Sequence, residues 1–270
     1  MVWEILVPLR IEKKKTSVYG LEGVAGEIVL PEVFSIPVRK DIIRRAFHSA
    51  FTARLQPKGR DPLAGKRTTA RSWGVGRGIA RVPRIPTGRA AFISFARGGH
   101  RAFPPRPDRR IHEEINRREM AYAIASALAA TASPLFVRSR GHRFNVETLP
   151  VVIKKEVEES ISRTREAREY LSKIGLWSDI ERAYRRIRVR AGRGKMRGRR
   201  YIVPKSILFV LSSTKSPLAM AVRNLPGVDI VSPENLGILE LAPGGVPGRL
   251  TVFTEDTLDV IASKYKVITL

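Results

Sequence analysis

The sequence predicts an α/β fold: a three-layer globular domain with a mostly parallel sheet, carrying a long irregular basic internal loop. Three observations predict it. Short apolar runs alternate with helical periods through the second half of the chain, the pattern of strands covered by helices. After the first helix, a stretch of roughly fifty residues shows neither period, far beyond the usual connection of about 4–6 residues. Positive charge is confined to two windows instead of being spread along the chain.

The confinement is complete. Residues 44–110 hold 17 Lys/Arg against Asp61 and Asp108, with 8 Gly and 7 Pro; residues 182–200 hold 10 Lys/Arg and no acid. These windows carry +15 and +10, the entire formal charge of +25, and the rest of the chain balances at 23 basic and 23 acidic residues. Charge so localised is the footprint of a polyanion binder. Arg outnumbers Lys 36 to 14. The planar guanidinium forks onto phosphate and stacks on bases, which favours nucleic acid. A membrane-surface protein would set the charge on an amphipathic helix, whereas here it lies among Gly and Pro.

Taken in order, residues 2–7 (VWEILV) read as a short buried strand and 26–38 as a strand–turn segment broken by Pro31 and Pro37. Asp41 can cap a helix whose Ile42, Ile43, Ala46, Phe47, Ala50 and Phe51 lie on one face and which ends at Pro57 and Gly59. Residues 111–132 form the most strongly marked helix, with Glu113 and Glu114 in its first turn and Ser133-Pro134 closing it. A short strand over 135–137, a turn over 139–143 and a strand from Pro150 follow. A helix over 157–174 stops at Gly175, a natural left-handed terminus. Ser178 caps a further helix whose Ile180, Ala183, Tyr184 and Ile187 face inward, so that Trp177 and Tyr184 count as core. Residues 206–211 are a continuous apolar run, as in a strand buried on both faces. Then come a helix at 217–224, a strand at 228–231, an apolar stretch at 236–241, a strand from Leu250 and a closing helix from Glu255. The expected organisation is one domain over 1–270, with a body of 1–56 and 111–270, an extended internal loop at 57–110 and a second basic extension at 188–201.

The loop reads either as a disordered basic linker or as a segment that orders on a partner. It is not low-complexity: Trp73-Gly-Val-Gly-Arg-Gly, Ala80-Arg-Val-Pro-Arg-Ile-Pro and Ala91-Phe-Ile-Ser-Phe-Ala-Arg-Gly-Gly are distinct. Alone it cannot bury enough apolar surface to offset its ordering entropy, but against a nucleic acid it could.

Several chemistries are excluded. Cysteine is absent, which removes disulfides, thiolate metal sites and cysteine nucleophiles. Gly192-Arg-Gly-Lys195 lacks the full phosphate-loop spacing and has Met196 at the hydroxyl position, and Gly74-Val-Gly-Arg-Gly78 lacks dinucleotide-fingerprint spacing. The histidines at 48, 100, 112 and 142 have no metal-ligand spacing. No catalytic residue, metal ligand or cofactor is expected, with Mg²⁺ only as a counterion of bound RNA. No run approaches the roughly 20 apolar residues of a membrane span. The first residues place apolar side chains before charges, the reverse of a secretory leader, so the expected location is cytoplasmic.

DNA readers present a compact helix to the major groove. A long irregular loop and a glycine-broken basic run are suited instead to threading between folded RNA helices and stacking on splayed bases. The residues assigned to RNA in the first window are Arg54, Lys58, Lys66, Arg67, Arg71, Trp73, Arg77, Arg81, Arg97, His100, Arg101, Arg106, Arg109 and Arg110. Arg140 and His142 are added from the 139–143 turn, and Arg190, Arg193, Lys195, Arg197, Arg199 and Arg200 from the second run. For Trp73 the alternative is packing on the loop's own arm, and a minority of the cations are expected to be merely solvated.

Several segments also resemble a known family. They are Ser72-Trp-Gly-Val-Gly-Arg, Ala80-Arg-Val-Pro-Arg-Ile-Pro, Ala96-Arg-Gly-Gly-His-Arg-Ala-Phe-Pro-Pro105, Ala123-Ile-Ala-Ser-Ala-Leu-Ala-Ala, Ser139-Arg-Gly-His-Arg143, Ala191-Gly-Arg-Gly-Lys-Met-Arg-Gly-Arg-Arg200, Arg223-Asn-Leu-Pro-Gly227 and Leu239-Glu-Leu-Ala-Pro-Gly-Gly245. In order and spacing they resemble the large-subunit ribosomal protein four family in its archaeal/eukaryotic form, nearly end to end. That resemblance implies an α/β domain on the large subunit and a loop threaded into 23S-type ribosomal RNA. It also implies a role in subunit assembly without catalysis, with neighbouring ribosomal proteins as partners. The loop tip, carried over to Arg84, Thr87, Gly88 and Arg89, is implied to line the exit tunnel and meet the nascent peptide. The eukaryotic pattern has extra glycines and a Gly–His insertion there, and a long basic C-terminal extension with no counterpart before Leu270, so an archaeal source is expected. A free-standing RNA-binding regulatory protein is the alternative reading.

Overall fold

The computed structural model describes residues 2–7 and 12–269. The chain opens with strands β1 (Trp3–Val7), β2 (Lys15–Tyr19) and β3 (Val24–Val29), then helices α1 (Lys40–Thr52), α2 (Arg117–Thr131) and α3 (Pro134–Ser139). Strand β4 (Val151–Ile153) leads to α4 (Lys155–Ser160), α5 (Thr164–Ile174) and α6 (Trp177–Arg185), and β5 (Arg188–Val189) with β6 (Tyr201–Ile202) forms a small hairpin. Then come β7 (Leu208–Val210), α7 (Pro217–Val222), β8 (Asp229–Val231), α8 (Ile238–Leu241), β9 (Thr251–Thr254), α9 (Glu255–Lys264) and β10 (Tyr265–Thr269). Two compact units result: residues 1–51 with 113–270, and residues 52–112.

In the first unit six strands form one sheet in the order β3-β2-β4-β9-β7-β8, parallel throughout except for the antiparallel β2–β3 pair. A strand's side chains alternate between faces, and both faces are covered here. Val18, Val152, Leu208, Val210 and Phe253 enter one core with Ile43 and Ala46 of α1, Leu128 of α2, Leu241 of α8 and Leu258 of α9. Val151, Ile153, Phe209 and Val252 enter the other with Val137 of α3, Val157 of α4, Leu171 of α5, Ile180 of α6 and Val222 of α7. Helix layer, sheet and helix layer follow from that period of two, which is why the run at 206–211 reads as continuously apolar. On the first face Phe34 meets Phe253 edge to face, 5.5 Å between ring centres, a pairing worth about 0.5–1.5 kcal/mol beyond its buried area. The chain's two ends pair with each other, β1 running parallel to β10.

Some elements differ from the sequence reading, each for a physical reason. Residues 135–137 are helical: Pro134 occupies the first helical turn, where its missing N–H costs nothing, and of the three apolar residues only Val137 is buried. The helix expected over 111–132 begins at Arg117, capped by Asn116, whose Oδ1 accepts from the Arg118 amide at 3.0 Å. Glu113 lies before it and meets His48 (2.8 Å) at the surface. The helix expected over 157–174 is two, because Glu166 turns back to accept from the amides of Ser162 and Arg163, both at 3.2 Å, and so starts a new N-terminus. Ser178 donates to the Arg143 carbonyl (3.0 Å) and does not cap α6. Tyr184 is 70 % exposed, not core.

Candidate nucleic-acid interface

The unit of residues 52–112 contains turns and isolated bridges in place of regular strands. Arg71 and Arg84 exchange both backbone hydrogen bonds (3.1 and 2.9 Å), and Ala91 N donates to Pro83 O at 2.9 Å, so three chain segments meet near Arg84. The tip is a tight turn over Ile85-Pro86-Thr87-Gly88, closed by Gly88 N to Ile85 O at 2.8 Å. Proline at its second position and glycine at its fourth suit that turn. Arg84 Nη1 donates to Gly88 O at 2.8 Å and so braces the turn from inside. Trp73 is half-buried beside it: a Cβ at Gly88 would stand 3.7 Å from its ring, and the Arg77 guanidinium lies 5.7 Å from the ring centre. Trp73 thus packs in part against its own loop.

The returning arm is held by close backbone approach. Gly99 lies where a Cβ would stand 1.8 Å from the Ile93 carbonyl oxygen, so no other residue fits. Arg89 Nη2 donates to Arg97 O (2.8 Å), and His100 Nδ1 meets Phe92 O (2.9 Å). Asp61 accepts from Arg67 and from the Leu63 amide. The hydrogen bond to Arg67 holds its carboxyl below the usual carboxylate range. Exposed on this frame are Arg54, Lys58, Lys66, Arg67, Arg71, Arg77, Arg81, Arg89, Arg97, Arg101, Arg106, Arg109 and Arg110, of which Arg67 pairs with Asp61 and Arg89 braces the returning arm. Among them Val75, Phe95 and Phe103 are 77–90 % exposed. Guanidinium groups and bare aromatic rings on one turn-built surface can neutralise phosphates and stack bases together.

The second basic run is a hairpin of the first unit. β5 pairs antiparallel with β6, Arg190 N donates to Arg200 O at 2.7 Å, and a 3-10 turn at Arg193–Met196 makes the bend. Arg193, Lys195, Arg197, Arg199 and Arg200 are exposed on it, with Met196 80 % exposed between them; Arg190 is half-buried and donates to Arg199 O.

Arg140 and His142 are placed differently from the exposed arginines: His142 is buried and Arg140 half-buried, and both are engaged within the body. His142 is buried; its Nδ1 bonds Asp179 Oδ2 at 3.0 Å. The same carboxylate accepts from Arg182 Nε (2.8 Å), Ser206 Oγ (2.8 Å) and the Arg143 amide (3.0 Å). Burial alone would raise the Asp179 carboxyl, but the hydrogen bonds from His142 and Arg182 outweigh it and hold the group far below the carboxylate range. Burial pushes His142 down from its usual value against the pull of Asp179. Arg140 gives both terminal nitrogens to backbone carbonyls, those of Val246 and Pro243, and burial lowers it to about 10. Arg182, at the start of the second basic window, leaves that window for this interior network, donating to Lys205 O at 2.8 Å.

Arg249, fully buried, closes the network. It reaches Asp229 Oδ2 at 2.7 Å and donates to the carbonyls of Ser206 (2.9 Å), Glu240 (2.8 Å) and Gly227 (3.2 Å). Gly227 is obligatory there, since a Cβ would stand 2.1 Å from Pro204 O. The segments around 139–143, 223–227 and 239–245 are therefore joined by this network, a structural role that the sequence reading did not assign them.

These features define a cationic α/β scaffold protein, one that buries a paired charge network and presents its excess charge on turns and a hairpin. Residues 28–264 match the model of the ribosomal protein L4/L1 family. Similar proteins include the large ribosomal subunit protein uL4 of Aeropyrum pernix, 55 % identical over 260 residues and covering 95 % of each chain. The protein of that name from Sulfurisphaera tokodaii is 47 % identical over 96 % of this chain and 97 % of its own. That from Methanocaldococcus jannaschii is 49 % identical over 93 % of this chain and 100 % of its own. The chain belongs to the ribosomal protein L4/L1 family, whose members are structural constituents and not enzymes.

Proposed function

We propose that the chain is a structural constituent of the large ribosomal subunit that binds 23S-type ribosomal RNA through two cationic segments and supports subunit assembly. One observation carries the reading: the whole excess charge lies within residues 44–110 and 182–200, most of it displayed on turns and a hairpin, while acids and bases balance elsewhere. Arg and Lys neutralise phosphates, and Phe95 and Phe103 offer open rings for stacking. The braced turn of Arg84, Thr87, Gly88 and Arg89 stands at the wall of the exit tunnel in this reading, beside the nascent peptide. Neighbouring ribosomal proteins cover part of the body, and Mg²⁺ enters only as a counterion of the RNA.

The test is sedimentation of tagged protein from its native lysate through a sucrose gradient, with sequencing of the RNA in its peak. Co-migration with large subunits in stoichiometric amount supports the proposal. A peak at the top of the gradient carrying assorted RNAs overturns it in favour of a free RNA-binding regulator.

A further inference from the structure

We propose a separate nucleobase-binding cleft on the body, built on α5 and α6; it rests on the proposed RNA binding and adds a site outside both cationic segments. Arg168, Trp177, Glu181, Tyr184, Arg185 and Pro226 line a cleft of about 440 Å³. Trp177, Glu181 and Tyr184 recur at helical spacing on one face of α6, so the indole, the carboxylate and the phenol line the same opening. Tyr184 is 70 % exposed, and Trp177 is half-buried. A large aromatic ring left open on an otherwise well-packed helix has gone unused by the core.

The cleft's chemistry matches one occupant. The Arg168 guanidinium lies 5.0 Å from the Trp177 ring centre, the aromatic–guanidinium platform on which unstacked RNA bases are received. Glu181 Oε1 accepts from Trp177 Nε1 at 3.0 Å, and Arg185 Nη2 approaches Oε2 at 3.5 Å, so one carboxylate holds both indole and guanidinium in place. A carboxylate in the cleft wall accepts from base N–H groups and disfavours an edge made only of acceptors. Arg168 and Arg185 are exposed at the cleft, where they meet a backbone phosphate. The site is also continuous with the proposed RNA surface: α6 runs through Arg185 and Arg186 directly into β5 of the arginine hairpin. An apolar protein anchor would use the rings but would offer no anion to Arg168, whose guanidinium meets the Trp177 ring, whereas Arg185 already shares the Glu181 carboxylate.

The full-length protein is bound to purified 23S-type ribosomal RNA, cross-linked with ultraviolet light, digested and mapped by mass spectrometry. A nucleotide adduct within residues 177–185 is expected, beside adducts in 57–110 and 188–201. Tyr184→Ala is expected to lower RNA affinity about fivefold or more, the lower bound for loss of one base stack. Its thermal unfolding should be unchanged, and Tyr184→Phe should retain affinity. Adducts confined to 57–110 and 188–201, with Tyr184→Ala binding as wild type, overturn the cleft and leave the RNA reading standing. Wild-type protein that retains no ribosomal RNA overturns both. Protection of α6 from hydrogen exchange by a ribosomal protein but not by RNA overturns the cleft in favour of protein docking.

Discussion

The body and the turn-built loop use the same side chain in opposite ways. In the body, Arg249 and Arg182 are buried, Arg249 against Asp229 and several backbone carbonyls and Arg182 against Asp179 and the Lys205 carbonyl, and their charge stays inside the fold. In residues 52–112, Arg84 and Arg89 brace turns through carbonyl bonds, and most other cations point outward with two acids among them. A buried guanidinium is tolerable only where fixed acceptors replace its water. The loop has too little interior to offer that environment, and a polyanion can. Arginine content therefore says nothing about role until the supply of nearby acceptors is known.

If the contrast holds, substitutions in the body should cost far more stability than substitutions in the loop. Arg249→Ala leaves Asp229 to Lys205 alone and takes the donor from the carbonyls of Ser206, Glu240 and Gly227, and should cost at least about 1–3 kcal/mol in denaturant unfolding. A loss below about 1 kcal/mol would show that the network is not holding the body. A smaller effect is expected from pH. His142 has a folded value below its unfolded one, so the unfolded chain binds the extra proton and stability falls as pH drops below the ordinary histidine value. Asp179, also depressed when folded, contributes stability above the ordinary carboxylate value that is lost only in the strongly acidic range. His142→Asn should flatten the upper part of the profile of melting temperature against pH and leave the acidic part; an unaltered profile would mean that His142 does not report on folding.

Smaller still on the body, Arg97→Gln with Arg101→Gln should change unfolding by no more than about 0.5 kcal/mol, the usual limit for exposed sites. On RNA the same pair should lower the dependence of log affinity on log salt by roughly 0.7–0.9 for each phosphate that the two arginines neutralise. An unchanged salt slope would remove these arginines from the RNA-binding surface. Deleting residues 60–105 should leave the body's cooperative melting untouched. Arg60 N and Pro105 O are 3.2 Å apart, so the cut ends already meet, and the core lies outside the deletion. Loss of a cooperative transition would show that the body depends on the loop.

Much of this molecule was legible in its sequence because the deciding properties are local. Strand and helix periods in 206–222 and 250–264 report burial on one or two faces directly, and the charge partition is additive along the chain. The mostly parallel sheet and the two cationic segments could be read for that reason. Whatever depends on a distant partner had to wait for the folded chain. Arg140 and His142 have the composition of an RNA-binding turn, yet the carboxylate of Asp179 takes His142 into the interior and carbonyls near 243–246 engage the half-buried Arg140. Tyr184 sits one helical turn from Ile180 and reads as core, but Ile180 and Ala183 are the apolar residues of α6 that are buried, and Tyr184 lies in the open. The pairing of β1 with β10 joins the two ends of the chain, a contact no local pattern encodes. Burial and charge belong to residues, whereas acceptors belong to places, and only the fold brings the two together.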